Sequence, residues 1–385
     1  MKSALLLLSV VVSPALAQPY VSEPISIATA ARPVMETRLA PAMSIVPDGD
    51  GFVAAWSSGN AVYAARLNAA FVPVTPVHEL RPLRGAAYEA NYPNISPIDG
   101  GYALVWLERE NIWQPRTATA VLCRLTAAFE PSQPIAVSPL ADSGLARVAG
   151  GDANAISVLV QGNVFTVDRN GVTEMKPINS WALDDAVTPG ARIAVVSREF
   201  TPENPPCPPP FIFGSACWRP ATWDLKVQID TLTFTRRFTA ELAPLSIGFG
   251  ADTHLVAWLA DAKKPGGRIA AVRIRNRVQL DSFNSPLILG GNTSASSRPS
   301  IAWDGERFLI AWEAHGDIYG AAMTPEGQVQ PFTLVATATD GLNPIVVGVK
   351  PGRFALAYEV RVDDQHRELV ARTVDFKVFH RRAAR

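Results

Sequence analysis

Residues 299–313 read PSIAWDGERFLIAWE, an apolar run, an Asp-Gly pair and a second apolar run that ends near Trp312. An Asp-Gly pair between apolar runs is typical of a β-hairpin, because the tight turn needs residues that tolerate positive φ. Further strand-like segments follow at 317–323 and 331–335, with a Pro-Glu-Gly turn between them. The stretch therefore predicts four short antiparallel strands, named A to D in chain order.

The same pattern recurs along the chain at a nearly constant interval. Successive copies begin 45 to 55 residues apart, except for one gap of 96 residues that holds two units of 48. Four-stranded units of this length are typical of propeller blades. Most copies end strand B in an aromatic residue, and we expect these aromatics to form the core between blades. The opening prolines are Pro41, Pro93, Pro189, Pro244, Pro299 and Pro344, and the aromatics are Trp56, Trp106, Trp258, Trp312 and Tyr358.

We therefore expect an all-β fold, a seven-bladed β-propeller of four-stranded blades. The third and fourth units, over 146–180 and 189–242, are degenerate, and the alternative is six blades if they merge. The last unit lacks a strand D, while residues 24–30 look like the strand D at 331–337. We expect this N-terminal strand to complete the last blade and to cover its open edge.

The repeat at 301–312 resembles the repeats of secreted bacterial propeller proteins with a strand–Asp-Gly–strand–Trp signature. The resemblance covers nearly the whole chain after its first residues, and it is weakest in the third and fourth units. It implies the architecture and no particular chemistry, because one fold hosts many functions. The Ser-x-Asp-x-Gly-x-Thr-Trp box of sialidases does not occur in the sequence.

The first residues have the pattern of a secretory signal peptide. Lys2 precedes an apolar run at 4–12, and the small-residue site Ala15-Leu16-Ala17 precedes Gln18. The run is shorter than the ~20 residues that a bilayer span needs. We therefore expect cleavage after Ala17, a single propeller domain over 18–385, and a secreted or periplasmic protein.

The charge balance and the absence of common motifs narrow the function. With 35 basic and 35 acidic residues the chain has no net charge, which argues against nucleic acid as a partner. The sequence contains no Gly-x-Ser-x-Gly, His-Glu-x-x-His or P-loop motif. We expect a monomer with no membrane span, no cofactor and no metal, and the sequence assigns no catalytic residue.

A Pro-rich insertion at about 200–223 is the most unusual segment of the chain. Cys207 and Cys217 flank its centre, and we predict that they form a disulfide, which an exported protein permits. Cys123 lies in an apolar run and is interpreted as a buried small hydrophobe. The insertion either caps the propeller axis and contacts a ligand or packs on its own blade, and its aromatics are Phe211, Phe213 and Trp218.

The connections between strands B and C vary most in length, and insertions on one face of a repeat protein usually mark its binding face. The polar residues of the sixth and seventh B–C loops suit a metal or an acid–base site, or else are solvated loop charges. Glu108, Arg109 and Glu110 are interpreted as solvated charges. The candidate binding residues are Trp113, Arg116, Phe211, Phe213, Trp218, Glu313, His315, Asp317, Asp363 and His366.

The sequence thus favours a non-catalytic scaffold that binds a protein, peptide or glycan through its B–C loop face. The first alternative is an extracellular or periplasmic hydrolase or lyase that acts on a polymer. The second is a structural or adhesive component of the cell surface. An enzyme of the first kind predicts carboxylates from several blades within ~10 Å of one another.

Overall fold

The computed structural model describes residues 18–31, 42–85, 87–110, 117–141, 146–152, 154–160, 163–177, 183–187, 194–201, 222–238, 245–260, 267–293, 298–335 and 341–376. Seven antiparallel sheets form a ring of blades, which confirms the predicted seven-bladed β-propeller. The described residues contain no helix that is long and apolar enough to cross a membrane.

Each blade runs outward from strand A at the axis, and the described residues form its strands in chain order. The first strands are β1 (Tyr20–Val21), β2 (Ile25–Ala31), β3 (Met43–Asp48), β4 (Gly51–Ser58), β5 (Ala61–Leu67), β6 (His78–Leu80), β7 (Tyr88–Ile98), β8 (Gly101–Glu110), β9 (Thr117–Thr126) and β10 (Ile135–Ala141). The third and fourth blades contain β11 (Ala146–Gly151), β12 (Ile156–Val160), β13 (Asn163–Val167), β14 (Val172–Pro177), β15 (Leu183–Val187), β16 (Ala194–Thr201), β17 (Thr222–Ile229) and β18 (Leu232–Phe238). The remaining strands are β19 (Ser246–Gly250), β20 (Thr253–Ala260), β21 (Gly267–Arg275), β22 (Val278–Gln279), β23 (Leu287–Thr293), β24 (Ser300–Trp303), β25 (Phe308–Ala314), β26 (Asp317–Met323), β27 (Val329–Val335), β28 (Gly341–Lys350), β29 (Arg353–Arg361) and β30 (His366–Asp375).

The pairing of these strands assigns them to blades. Blades one to four are β3–β6, β7–β10, β11–β14 and β15–β18. Blade five is β19–β21 with a divided outer strand, because β22 and β23 both pair with β21. Blade six is β24–β27, and blade seven is β28–β30 with the N-terminal strands. The degenerate third and fourth units are therefore separate blades.

Blade six follows its sequence prediction strand by strand, and Asp304 shows why its hairpin turn is stable. Asp304 Oδ1 accepts hydrogen bonds from the backbone N–H groups of Glu306 at 2.7 Å and Arg307 at 2.8 Å. Gly305 has a φ of 105°, in the region that favours glycine. Asp304 Oδ2 also accepts a bond from the N–H of Gly352 in blade seven at 2.9 Å. One carboxylate therefore closes the turn and joins two blades.

The predicted start of the fourth unit at Pro189 is wrong. Strand A of blade four is β15, which ends before that proline, and the run at 194–201 is strand B. The two strands pair from Leu183 opposite Ser197 to Val187 opposite Ala194. Two acidic residues interrupt the apolar pattern of β15, so no strand signal stands in the sequence there.

The chain ends close the ring as predicted. β2 pairs antiparallel with β30, from Ile25 opposite Ala371 to Ala31 opposite His366. The N–H of Ala31 also donates to Ser58 Oγ of blade one at 2.9 Å. The N-terminal strand is therefore strand D of blade seven, and it covers the edge of β30 at the seam.

The hydrophobic core lies between blades. The described clusters each join two neighbouring blades, as with Trp312 of blade six against Leu255 and Ile269 of blade five. The five strand-B aromatics are at most 4% exposed, as expected for inter-blade core. Each of them packs against the preceding blade.

Candidate binding face and axial cavity

The antiparallel order gives the propeller two distinct faces. The B–C and D–A connections lie at one end, called the B–C face, and the A–B and C–D turns lie at the other, called the A–B face. Four A–B turns, at 49–50, 99–100, 251–252 and 351–352, have two residues each. The segments 111–116, 202–221 and 261–266 are B–C connections, because strands B and C flank each of them. The longest of these connections, 202–221, thus lies at the B–C face, while the C–D connections at the other end reach ten residues at 68–77.

A cavity of about 370 Å³ lies on the axis, and strands A of six blades line it. In five of the six blades the lining residues lie at or just before the first part of strand A, for example 43–46 of β3 and 343–345 of β28. In blade two they are 93–96, near the middle of the longer β7. Strand A begins at the D–A connection, so the cavity lies toward the B–C face. At the other end a Cβ on Gly250 would overlap the Trp303 ring, and a Cβ on Gly348 would overlap the Trp303 carbonyl. Blades five to seven therefore approach closely at the A–B face.

One register position of strand A contributes a polar side chain to the axis in several blades. Ser44, Asn94, Ser246 and Ser300 each lie opposite the residue that precedes the strand-B tryptophan. Ser44 Oγ accepts a bond from the N–H of Ile95 in the next blade at 3.2 Å. Asn94 Oδ1 and Ser300 Oγ accept equivalent bonds, at 2.8 and 3.0 Å, from the next blades. These oxygens join neighbouring A strands around the cavity, and we call them the axial ring.

Two arginines lie at the axis among these short side chains, and only one of them occupies a ring position. Arg147 occupies the ring position in blade three, because it lies opposite Leu159 in the equivalent register. Its Nη1 donates to the carbonyl of Ala146 at 3.2 Å. Arg298 precedes β24, and its Nε donates to Ser246 Oγ at 3.1 Å. The described residues that line the cavity include no Asp or Glu, so two guanidinium groups dominate the charge there.

The buried carboxylate of Glu108, at the B–C face, holds the backbone. Glu108, which is fully buried, accepts bonds from the N–H of Leu83 at 2.6 Å and from Trp106 Nε1 at 3.1 Å. Leu83 lies in the D–A connection between blades one and two. The expectation that Glu108 and Arg109 are solvated loop charges is wrong, because both are buried. The only sequence signal for the contact between Trp106 and Glu108 is that they are two residues apart on one strand.

Glu359 has the same role at the seam of the ring. Its Oε1 accepts bonds from the N–H of Ala42 at 2.9 Å and from Asn343 Nδ2 at 3.2 Å, and its Oε2 pairs with Arg367. Both members of this ion pair are buried, with side chains 1% and 5% exposed. Glu359 therefore joins blade seven to the start of blade one.

The structure places the predicted polar residues of blades six and seven in short turns or in the strands beside them. Glu313 and Asp317 are half-buried at the ends of β25 and β26, and His315 is exposed between them with a φ of 54°. Asp363 Oδ1 accepts bonds from the N–H groups of Gln365 at 2.6 Å and His366 at 2.7 Å. These bonds, with the nearby His366 ring, lower the pKa of Asp363.

These two loops do not form a metal centre in the part of the chain that the structure describes. No three His, Cys, Asp or Glu side chains come together there as ligands. Asp363 and His366 contact each other, with 3.0 Å between His366 Nδ1 and Asp363 Oδ2. The other candidates lie outside the described residues: Trp113, Arg116, Phe211, Phe213 and Trp218, with the predicted disulfide partners Cys207 and Cys217.

Comparison with known proteins gives the fold. No family model and no curated protein matches the chain. The WD40 domain of Toxoplasma gondii coronin is similar, with a TM-score of 0.55 and 9% identity over 93% of this chain and 87% of that chain. Trypanosoma rangeli sialidase gives a TM-score of 0.42 and 8% identity over 86% of this chain, which spans only 54% of that chain. A catalytically inactive virginiamycin B lyase from Staphylococcus aureus gives 0.46 and 9% identity, over 91% of this chain and 99% of that chain.

The strand topology and the similarity to the coronin domain define the class of protein, a β-propeller, and nothing narrower. At identities of 8 to 9% the similarities show the fold alone. One fold hosts many functions, so the architecture assigns none. The function of this chain has to be argued from its own residues.

Proposed function

We propose that this protein is an exported, non-catalytic binding protein that holds a protein, peptide or glycan on its B–C face. One observation carries the proposal: the longest connection between strands, 202–221, and the axial cavity lie at the same end of the propeller. Variable loops on a rigid repeat scaffold are a common way to build a binding surface. The A–B turns that the structure describes are short by comparison.

The carboxylates favour binding over the hydrolase or lyase alternative. A glycosidase needs two carboxyl groups roughly 5–10 Å apart across the substrate. Within the described ranges the cavity lining has no Asp or Glu, and Glu108 and Glu359 are each bonded to backbone N–H groups. Their burial and bonding support a structural role for both side chains.

Export and the disulfide are parts of the same proposal, and intact mass measures both. We expect the exported protein to begin at Gln18 and to be two hydrogen masses lighter than the fully reduced chain. Alkylation of the denatured, unreduced protein should label one thiol, that of Cys123. In the folded protein burial raises the pKa of Cys123 to about 11, so denaturation is needed to label it. Three labelled thiols would contradict the disulfide, and a chain that retains residues 1–17 after export would contradict cleavage.

The binding face is tested with one side chain placed on each face. His315 and Asp252 are both exposed and both have positive φ in two-residue turns, on the B–C and A–B faces respectively. The ligand is first selected on glycan and peptide arrays. His315→Arg should weaken its binding by about tenfold, or roughly 1.4 kcal/mol, while Asp252→Arg should leave it unchanged.

Hydrogen–deuterium exchange gives an independent readout of the same proposal. Ligand should slow exchange at 59–60, 315–316 and 362–365, which are B–C connections. Exchange at the A–B turns 49–50 and 251–252 should not change. Protection that is confined to the A–B turns, or binding that only Asp252→Arg weakens, would contradict the proposed face.

A further inference from the structure

We infer that the axial cavity is an oxyanion-binding site, whose ligand is a small polar molecule, or the end of a larger one, that carries a carboxylate or phosphate group. The inference rests on the proposed binding function and names the chemistry of its ligand. Its basis is the combination of cavity size, charge and polarity on the axis. None of the sequence-derived candidates that the structure describes lines this cavity.

The charge of the cavity comes from two separate blades. Arg147 belongs to blade three and Arg298 to blade six, so they approach from different sides of a seven-bladed ring. Both residues are half-buried, where a charge interacts more strongly than in bulk water. A planar guanidinium matches the geometry of a carboxylate or phosphate and can bind it through two parallel hydrogen bonds. Since the described part of the lining has no acidic residue, an anion entering the cavity meets no like charge from it.

The position of Arg147 is not explained by the axial ring. Ser44, Asn94 and Ser300 use an oxygen to accept a bond from the next blade. A guanidinium has five N–H donors and no acceptor, so Arg147 cannot make that contact. An arginine at this position brings a charge to the axis and does not supply the acceptor that blades one, two and six use. This points to recognition of a ligand.

The rest of the lining suits a small polar ligand with an apolar side. Ser96 and Asn343 add hydroxyl and amide groups, while Ile45, Ile95 and Ile301 supply apolar surface. A volume of about 370 Å³ lies within the usual range of small-molecule sites. Polar side chains make up a larger share of this lining than in a typical small-molecule site, which favours a hydrophilic ligand. An acidic sugar or a phosphorylated small molecule has the matching chemistry.

Isothermal titration of the purified protein tests the inference with four probes at constant ionic strength. Inorganic phosphate, acetate and glucuronate carry the anion, and glucose is the neutral match of glucuronate. We expect glucuronate to bind at least ~10-fold more tightly than glucose. Binding by acetate and glucuronate identifies a carboxylate ligand, and binding by phosphate alone identifies a phosphate ester. Either result supports the site.

Three variants locate the binding. Arg147→Gln with Arg298→Gln should reduce anion affinity at least ~10-fold, while the matched variant Arg277→Gln, in the exposed C–D turn of blade five, should not change it. Arg147→Lys with Arg298→Lys keeps both charges and loses the planar fork, so it should bind with intermediate affinity. If circular dichroism shows that the glutamine variant is unfolded, the lysine variant still tests the site.

Two results would overturn the inference. One is that no anion binds above the sodium chloride background, or that glucose binds measurably and with the same affinity as glucuronate. The other is that folded arginine variants bind the anions as tightly as the parent protein. If no anion binds while hydrogen–deuterium exchange still maps a selected ligand to the B–C face, only the inference of an anion site fails. If protection maps to the A–B turns, the proposed function fails whether or not anions bind.

Discussion

Blade six and blade three have the same ladder of four antiparallel strands but differ in how they pack. In blade six, strand B ends near the buried Trp312, which contacts the preceding blade. In blade three the equivalent position is Val160, also buried but much smaller. The outer strands differ more: β27 buries Phe332 and Leu334, whereas every residue of β14 is exposed.

The comparison shows that the repeat in this sequence encodes contacts between blades. The backbone ladder of blade three forms without the aromatic, the Asp-Gly turn or a buried outer strand. Apolar alternation and short turns suffice for a hairpin, because backbone groups supply its hydrogen bonds. The conspicuous residues of blade six add burial against its neighbours, and burial is the larger source of stability.

The largest expected effect separates the two blades at the end of strand B. Trp312→Ala should lower the free energy of unfolding by about 3–5 kcal/mol, because it removes a buried indole and leaves a cavity. Val160→Ala should cost about 1–2 kcal/mol, since it removes roughly two methyl-sized groups. Urea unfolding followed by tryptophan fluorescence and circular dichroism measures both. Equal losses of unfolding free energy in the two variants would contradict this difference between the blades.

A smaller effect is expected where blade five accommodates the tryptophan. A Cβ on Gly290 would lie 2.5 Å from Trp312 Cζ2, so Gly290→Ala should overpack the interface and cost about 1–3 kcal/mol. In a Trp312→Ala background the same substitution should cost almost nothing, because its neighbour is gone. A double-mutant cycle measures this coupling. Additive losses would show that Gly290 is needed for its backbone and not for the indole.

The smallest effect is expected on the outer strand of blade three. Lys176 of β14 and Phe332 of β27 lie at equivalent register positions. Lys176→Phe should change the free energy of unfolding by less than about 0.5 kcal/mol, because the site is exposed. Phe332→Lys should cost several times more, since it places a charge in a buried site beside Phe376. Thermal melts of the two variants compare their stabilities. Clear stabilisation by Lys176→Phe, or tolerance of Phe332→Lys, would contradict the assignment of β14 as exposed and β27 as partly buried.

Most of the fold could be predicted from the sequence, because blade contacts are local in the repeat. The strands of blade six, the seven-blade count and the closing strand β2 all followed from recurring apolar runs and turns. Strand β15 could not be found, because Leu183 and Val187 are separated by two aspartates. The spacing of the prolines therefore predicted strand A after Pro189, where the structure has strand B.

The axial cavity could not be predicted, because it depends on which residues of strand A point to the axis in every blade. Arg147 and Arg298 lie in segments with no local motif, about 150 residues apart in the chain. Only the ladder register places Arg147 at the same level as Ser44 and Ser300. Loop length indicated the B–C face as the candidate surface, but it gave no signal for Arg147 and Arg298 in the cavity beneath that face.

A selenate soak of crystals of the protein tests whether the axial cavity is a ligand site. Selenate has the charge and shape of an oxyanion, and its anomalous signal locates it independently of the protein density. We predict a peak in the axial cavity between Arg147 and Arg298, and its loss in crystals of the Arg147→Gln, Arg298→Gln variant. Peaks confined to other surfaces, or an axial peak that persists in the variant, would contradict the account.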